Sequence, residues 1–166
     1  MKLRDSVIIV TGSATGLGSA IIKQVAAKGA RVVINYTKSE KEAHETEAVC
    51  DYLGVESILC KADVSVDEDC RRMADLCVEK WGRIDGLVNN AARSVFANSK
   101  DLEALDGQQF MDVYSVNVVG AYQMTRAAAP HMKAGGDGSI VNVSSISALT
   151  GAGSSIAYVA SKGALN

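Results

Sequence analysis

Three glycines within seven residues, Gly12, Gly16 and Gly18, stand between a β-branched apolar run and an amphipathic helical pattern. The run, Ser6–Thr11, is short enough to be a buried strand. Leu17–Lys28 follows with Ile21 and Val25 four apart on one helical face, and Gly29 stands where a helix-ending glycine is expected. A strand that turns through glycines into a helix opens a βαβ unit. Such a unit commits the chain to a parallel sheet.

The alternation continues along the sequence. Arg31–Tyr36 predicts a second strand, and Ser39 the cap of a polar helix running to about Leu53, where Gly54 ends it. Val55–Cys60 predicts a third strand. Ser65, with Glu68 three residues later, predicts a capping box at the start of a helix through Trp81. Ile84–Asn89 is a fourth strand and Ala91–Lys100 a loop. A long helix then runs from about Leu105 to Met132, with the only proline, Pro130, near its end. Ser139–Ser144 predicts a fifth strand and Ser155–Asn166 a final helix. This is an α/β pattern, and it predicts a doubly wound, Rossmann-like parallel sheet of order 3-2-1-4-5 with helices on both faces. The 166 residues are one domain's worth, without internal repeat or linker. The chain stops at Asn166 in mid-helix and leaves the fifth strand at a sheet edge. The expectation is therefore a domain incomplete at its C-terminal side.

Composition narrows the function classes. A net charge of −2 gives no reason to expect a nucleic-acid or anionic-membrane partner. The apolar runs are too short to span a bilayer. Lys2 and Arg4 precede a stretch too short for a signal peptide, so a cytoplasmic protein is expected. Cys50, Cys60, Cys70 and Cys77 form no C-x-x-C pair, and His44 and His131 lie far from one another. No metal site is expected, only buried thiols in a reducing compartment.

Glycines in the turn Thr11–Gly18 allow positive φ and let a ligand approach the backbone. The helix behind it points unpaired N–H groups and a partial positive charge outward, which suits a pyrophosphate. Gly12, Ser13, Thr15, Gly16, Leu17 and Gly18 are thus candidate contacts to a dinucleotide. A carboxylate at the end of the second strand would accept hydrogen bonds from the adenosine ribose and repel a 2′-phosphate. The residues there are Asn35, Tyr36, Thr37 and Lys38, with no acid until Glu40. Thr37 and Lys38 suit a phosphate, so NADP is favoured over NAD, although Lys38 also reads as an ordinary solvated lysine.

Tyr158 and Lys162, four apart, share one face of the final helix. A free tyrosine keeps its proton to a pKa of about 10, and an ammonium beside a phenol favours the phenolate, which suits proton transfer. The serine-rich end of the fifth strand, Val143-Ser144-Ser145, lies just upstream, where a doubly wound sheet opens its ligand crevice.

Together these residues resemble the short-chain dehydrogenase/reductase family, from the first strand to the last residue. The resemblance is carried by Thr11-Gly12-x-x-x-Gly16-x-Gly18, Asp63-Val64, Asn89-Asn90-Ala91, Asn117, Ser145 and Tyr158-x-x-x-Lys162, in that order. It implies that Tyr158 is the general acid in carbonyl reduction and the general base in alcohol oxidation. Ser145, preferred to Ser144 on its spacing from Tyr158, is implied to polarise the substrate oxygen. Lys162 is implied to hold the nicotinamide ribose, and Asn117 to orient a water that relays protons to Lys162. Asp63 is implied to bind the adenine amino group beside the Val64 backbone, and Asn90 and Ala91 to line the cofactor. Without the other motifs, Asp63 reads as a loop or capping residue and Asn117 as a polar helix residue.

Two departures stand out. Ala92 replaces the usual glycine after Asn-Asn-Ala, which costs about 1–2 kcal/mol if that position needs positive φ and nothing otherwise. Family members are also longer, and the missing part carries the substrate loop, so the substrate stays open. The motif wording and the Asn35-Tyr36 strand end look most like 3-oxoacyl-carrier-protein reductases. The resemblance also implies a homodimer or homotetramer, formed through the long helix and the Tyr158 helix, with Ala121, Ala127, Ala128 and Ala129 small enough for close packing. The expected activity is hydride transfer between nicotinamide and a ketone or secondary alcohol. The alternative is a non-catalytic piece that binds nucleotide or serves in an assembly.

Overall fold

The structure, a computed structural model, describes residues 2–98 and 100–166. Ser99, in the expected loop Ala91–Lys100, lies outside the described residues. Strands β1 (Val7–Val10), β2 (Arg31–Tyr36), β3 (Ser57–Lys61), β4 (Gly86–Asn89) and β5 (Ser139–Asn142) pair in parallel in the order β3-β2-β1-β4-β5. This is the expected order. β1 is buried along its whole length, and successive side chains alternate between the two faces of the sheet.

That alternation divides the core in two. Val7 and Ile9, with Val33 and Leu87, face helices α3 (Asp67–Trp81) and α5 (Ala121–Ala134). Ile8 and Val10, with Val32 and Ile34, face helices α1 (Gly16–Ala26) and α2 (Glu40–Tyr52). Ala127 and Ala128 belong to the first of these cores, so two of the four alanines expected at a subunit interface pack within the protomer. All four cysteines are free and buried. β5 stands at the sheet edge with Ile140 and Val141 exposed. Among the described residues, no helix is long and apolar enough to cross a membrane.

Three local expectations are corrected. The long helix is continuous, but its middle is widened: α4 (Gly107–Tyr114) passes through a π-helical stretch, Ser115–Gly120, into α5. The capping box predicted at Ser65 and Glu68 does not form. Val66 takes the cap position of α3, and Ser65 donates its N–H and O–H to Asp63 Oδ1 at 2.9 and 2.7 Å. The charged carboxylate is the stronger acceptor and draws the serine into its own turn. A capping box does form at α4, between Asp106 and Gln109. The last helices are α6 (Ser147–Thr150), one turn that the sequence reading does not anticipate, and α7 (Ile156–Leu165), capped by Ser155.

Asn35, at the end of β2, ties the first turn to the sheet. Its Oδ1 accepts from Gly12 N at 2.8 Å, and its Nδ2 donates to the carbonyls of Cys60 and Ala62 at 3.2 and 2.9 Å. Its backbone N–H donates to Ser13 Oγ, and its carbonyl accepts from Ser13 N. Asn35→Ala leaves these buried groups unpaired, with an expected loss of about 2–4 kcal/mol. Asn35→Asp still accepts from Gly12 but cannot donate, and is expected to lose stability as well. Urea unfolding of both variants checks this, and wild-type stability of Asn35→Asp would show that the two donated bonds contribute nothing.

Candidate active site

The glycines of the first turn are needed for three different reasons. Gly12 has φ +61°, and a Cβ there would lie 2.9 Å from Ala91 Cα. A Cβ on Gly18 would lie 2.5 Å from the Gly12 carbonyl oxygen, so α1 packs directly on the turn. Gly16 has φ +56° and open space around it. Thr15, Gly16 and Leu17 form the exposed crest of the turn. The Thr15 side chain, at the cap position, makes no hydrogen bond to the first N–H groups of α1.

The side chains of Ser13 and Asn90, two expected cofactor contacts, are spent on holding this turn. Ser13 is fully buried and accepts from Asn35 N at 2.9 Å. Asn90 Nδ2 donates to the carbonyls of Thr11 and Gly12 at 2.8 and 3.1 Å. Thr11 Oγ1 accepts in turn from the backbone N–H of Asn90 and Ala91, at 3.0 and 2.9 Å. The ends of β1, β2 and β4 thus form one hydrogen-bonded cluster around the glycines. Thr37 and Lys38 stand exposed just past β2. Asp63 closes its own turn through Ser65, while the Val64 carbonyl accepts from Gln123 of α5 at 2.7 Å. Ala92 carries no strain, because Asp5 is the only non-glycine with positive φ among the described residues.

Asn117 sits in the π-helical stretch, 1 % exposed. Its Oδ1 accepts from Arg93 N at 2.7 Å, and its Nδ2 donates to Arg93 O at 3.0 Å and to Ser161 Oγ at 2.9 Å. Both amide hydrogens are used, so this side chain ties the loop after β4 to α7. Ser161 passes the tie on by donating to the Tyr158 carbonyl at 2.7 Å. The Ser94 and Ser154 hydroxyls meet at 3.0 Å, a second link between the loop after β4 and the chain before α7. Neither Arg93 nor Ser161 is anticipated from sequence. Ser161 lies three residues after Tyr158, a spacing that puts both on one side of the helix and could have pointed to it, whereas Arg93 carries no such signal.

On α7, Lys162 is 2 % exposed, its Nζ donating to the Val143 carbonyl at 2.6 Å and lying 5.7 Å from the Tyr158 ring centroid. The two adjacent serines divide. Ser144 Oγ donates to the Lys162 carbonyl at 3.3 Å, turned toward the α7 backbone. Ser145 Oγ instead accepts from Ser147, N–H at 3.2 Å and O–H at 2.8 Å. The structure therefore joins Ser144 and Asn117 to α7 at Lys162 and Ser161, with Tyr158 beside Lys162 on the same helix, while Ser145 is tied to Ser147 of α6. A pocket lined by Leu102, Leu105, Phe110 and Ile156 adjoins the helix without sharing a residue with that set.

A family model described as short chain dehydrogenase matches residues 6–166. The chain belongs to the short-chain dehydrogenase family. It is 41% identical over 157 residues to a Streptomyces violaceoruber protein named for ketoacyl reduction in the granaticin polyketide synthase, covering 95% of this chain and 61% of that protein. It is 36% identical over 170 residues to the NADPH-dependent aldehyde reductase 1, chloroplastic, of Arabidopsis thaliana, covering 99% and 58%. The structure of an NAD+-bound xylitol dehydrogenase superposes with a TM-score of 0.90 at 30% identity, covering 99% and 62%. This chain thus spans about six-tenths of the length of such relatives.

This short-chain dehydrogenase has a turn that fits the pyrophosphate of a nicotinamide dinucleotide. The crest is open, Gly16 leaves room above it, and the uncapped N–H groups of α1 face the same way. Burial meanwhile holds the Lys162 ammonium below the ordinary lysine range. Folded protein consequently binds that proton less tightly than unfolded chain does. The penalty is fully present below the folded value, and is relieved as pH rises through that value toward the unfolded one of about 10.4. Relative to Lys162→Met, the wild type is expected to gain stability across that alkaline window. Melting temperatures of both proteins between pH 7 and 10 test this, and a gap that stays constant would refute it.

Proposed function

We propose that the protein carrying this chain is an NADP(H)-dependent oxidoreductase that interconverts ketones and secondary alcohols. The observation that carries the reading is the Lys162 amine, buried 5.7 Å from the Tyr158 ring on one face of α7. When bound, the nicotinamide supplies or accepts the hydride. Thr15, Gly16, Leu17 and Gly18 cradle the pyrophosphate, while Gly12 and Ser13, whose N–H groups are held by Asn35, form the floor of the turn beneath it. Asp63 and Val64 border the adenine, and Asn90 and Ala91 form the wall beside the glycine turn.

Tyr158 gives its hydroxyl proton to the substrate oxygen in reduction and removes it in oxidation. Ser145 donates to that same oxygen and draws electron density from the carbonyl carbon. Lys162 holds the ribose hydroxyls and places positive charge beside the phenol. Asn117 acts through position, keeping the loop after β4 and α7 in register. A proton-relay water there is held by backbone or by the remaining lone pair of Asn117 Oδ1. Among ketones, the 41% identity to a protein named for ketoacyl reduction supports a 3-oxoacyl substrate.

NADP is the proposed cofactor because Thr37 and Lys38 lie exposed just past β2, the strand end at which a doubly wound fold receives the adenosine ribose. The nearest acid, Glu40, is turned to Tyr36, whose phenol is held above its ordinary value by burial first and then by Glu40. The relatives include both an NADPH-dependent reductase and an NAD+-bound dehydrogenase. A homodimer or homotetramer is proposed through the long helix, whose outer face exposes Met111, Val119 and Tyr122. Four free, buried thiols accord with a cytoplasmic location. A second reading, a nucleotide-binding piece without turnover, draws on the exposed edge of β5, which leaves this side of the site unshielded.

The intact protein is expected to oxidise NADPH with a 3-oxoacyl ester. Tyr158→Phe is expected to lower kcat at least about 100-fold while NADPH affinity, read by fluorescence, stays unchanged. Retained turnover in Tyr158→Phe would overturn the assignment. Lys38→Glu is expected to raise KM for NADPH roughly tenfold and leave KM for NADH alone. An equal rise for both cofactors would remove Lys38 from the 2′-phosphate site.

A further inference from the structure

A serine hydroxyl has one hydrogen and two lone pairs, so what it can offer a ligand depends on what already occupies it. Ser145 Oγ receives two hydrogen bonds from one residue: the Ser147 N–H at 3.2 Å and the Ser147 O–H at 2.8 Å. Both lone pairs are then filled. What remains is the Ser145 proton.

Ser147 is held firmly enough to impose this. It is 3 % exposed and begins the single turn of α6. That turn is closed at one end by the Ala148 N–H on the Ser145 carbonyl at 3.1 Å. At the other end Gly151 N–H bonds the Ser147 carbonyl at 2.9 Å, with Gly151 in the left-handed conformation. Ser144, the neighbouring serine, is engaged with the α7 backbone.

We infer that Ser147 is a positioning residue that makes Ser145 a dedicated hydrogen-bond donor to the substrate carbonyl oxygen. The inference rests on the reading of Ser145 and Tyr158 given above. Without the Ser147 hydroxyl, one lone pair of Ser145 is open again and can accept, so Ser145 offers its proton to the carbonyl only part of the time. The effect belongs to the reacting carbonyl rather than to substrate binding at large. It must therefore matter less for a carbonyl that is already electron-poor.

The test uses the intact protein with NADPH and two ketones of nearly the same shape, ethyl acetoacetate and ethyl 4-chloroacetoacetate. Ser147→Ala is expected to lower kcat on the first about tenfold with KM little changed, and on the activated chloro-ketone about twofold. Ser147→Thr, which keeps the hydroxyl, is expected to restore most of the loss. NADPH affinity and melting temperature of Ser147→Ala are expected to match the wild type. Wild-type kcat in Ser147→Ala overturns the inference, as does an equal loss on both ketones with a lowered melting temperature. Two outcomes strike the underlying reading instead: wild-type kcat in Ser145→Ala, or a wild-type protein inert to both ketones.

Discussion

The open turn at the top of the sheet depends on the Asn35 side chain. A loop that presents bare N–H groups to a ligand cannot also use them to hold itself in place. Something else must hold it, and here an amide reaches from β2 to bond Gly12 on one side and, on the other, the carbonyls of Cys60 in β3 and Ala62 just after it. A primary amide suits this place because it accepts and donates at once, which neither a carboxylate nor a hydroxyl with one hydrogen can match. Asn90, just past β4, adds two donated bonds to the carbonyls of Thr11 and Gly12. The crest is thereby left free to receive a ligand, while its foot is bonded on both flanks.

The second half of the site is assembled by a different device. The π-helical stretch Ser115–Gly120 carries Asn117 into the interior, where it meets a loop backbone and a serine of α7. Such widenings of a helix recur at functional sites because they re-aim one side chain without ending the helix. Gly120 shows how close the approach is: a Cβ there would lie 2.7 Å from Val64 Cγ2. The same few residues thus connect the turn after β3, at Asp63-Val64, to the helix bearing Tyr158 and Lys162.

The strand order and most elements were legible in the sequence, because β-branched runs separated by helical periods admit few arrangements in a parallel sheet. Tyr158, Lys162 and the glycines were legible for the same reason: their spacing within one element already implies a shared face or turn. What escaped was decided by partners distant in sequence. Nothing in Ser115–Gly120 announces a π-helix, since the cause lies in Arg93, Val64 and Ser161. Ser65 looked like a helix cap until the Asp63 carboxylate competed for it. Ser13 and Asn90 were placed at the right turn, but only the fold shows their side chains facing inward. Ser147, two residues past Ser145, had a visible signal in the serine-rich run, although the direction of its hydrogen bond had none.

The strand order also bears on how the chain reaches this state during synthesis. β2 is laid beside β1, β3 beside β2, β4 back beside β1, and β5 beside β4. Every strand after the first therefore finds its neighbour already emerged from the ribosome, and no gap must be kept open for a later insertion. The demanding event is the return of β4, which must pair Gly86 with Ile8 after more than seventy intervening residues. Contacts that distant are slow to close. Until they do, one flank of β1 is bare, and Val7 and Ile9 lack the Leu87 and α5 side chains that cover them in the folded protein. The growing chain is thus most exposed to mispairing between the completion of β3 and the arrival of β4, with the glycine turn still lacking the Asn90 half of its support.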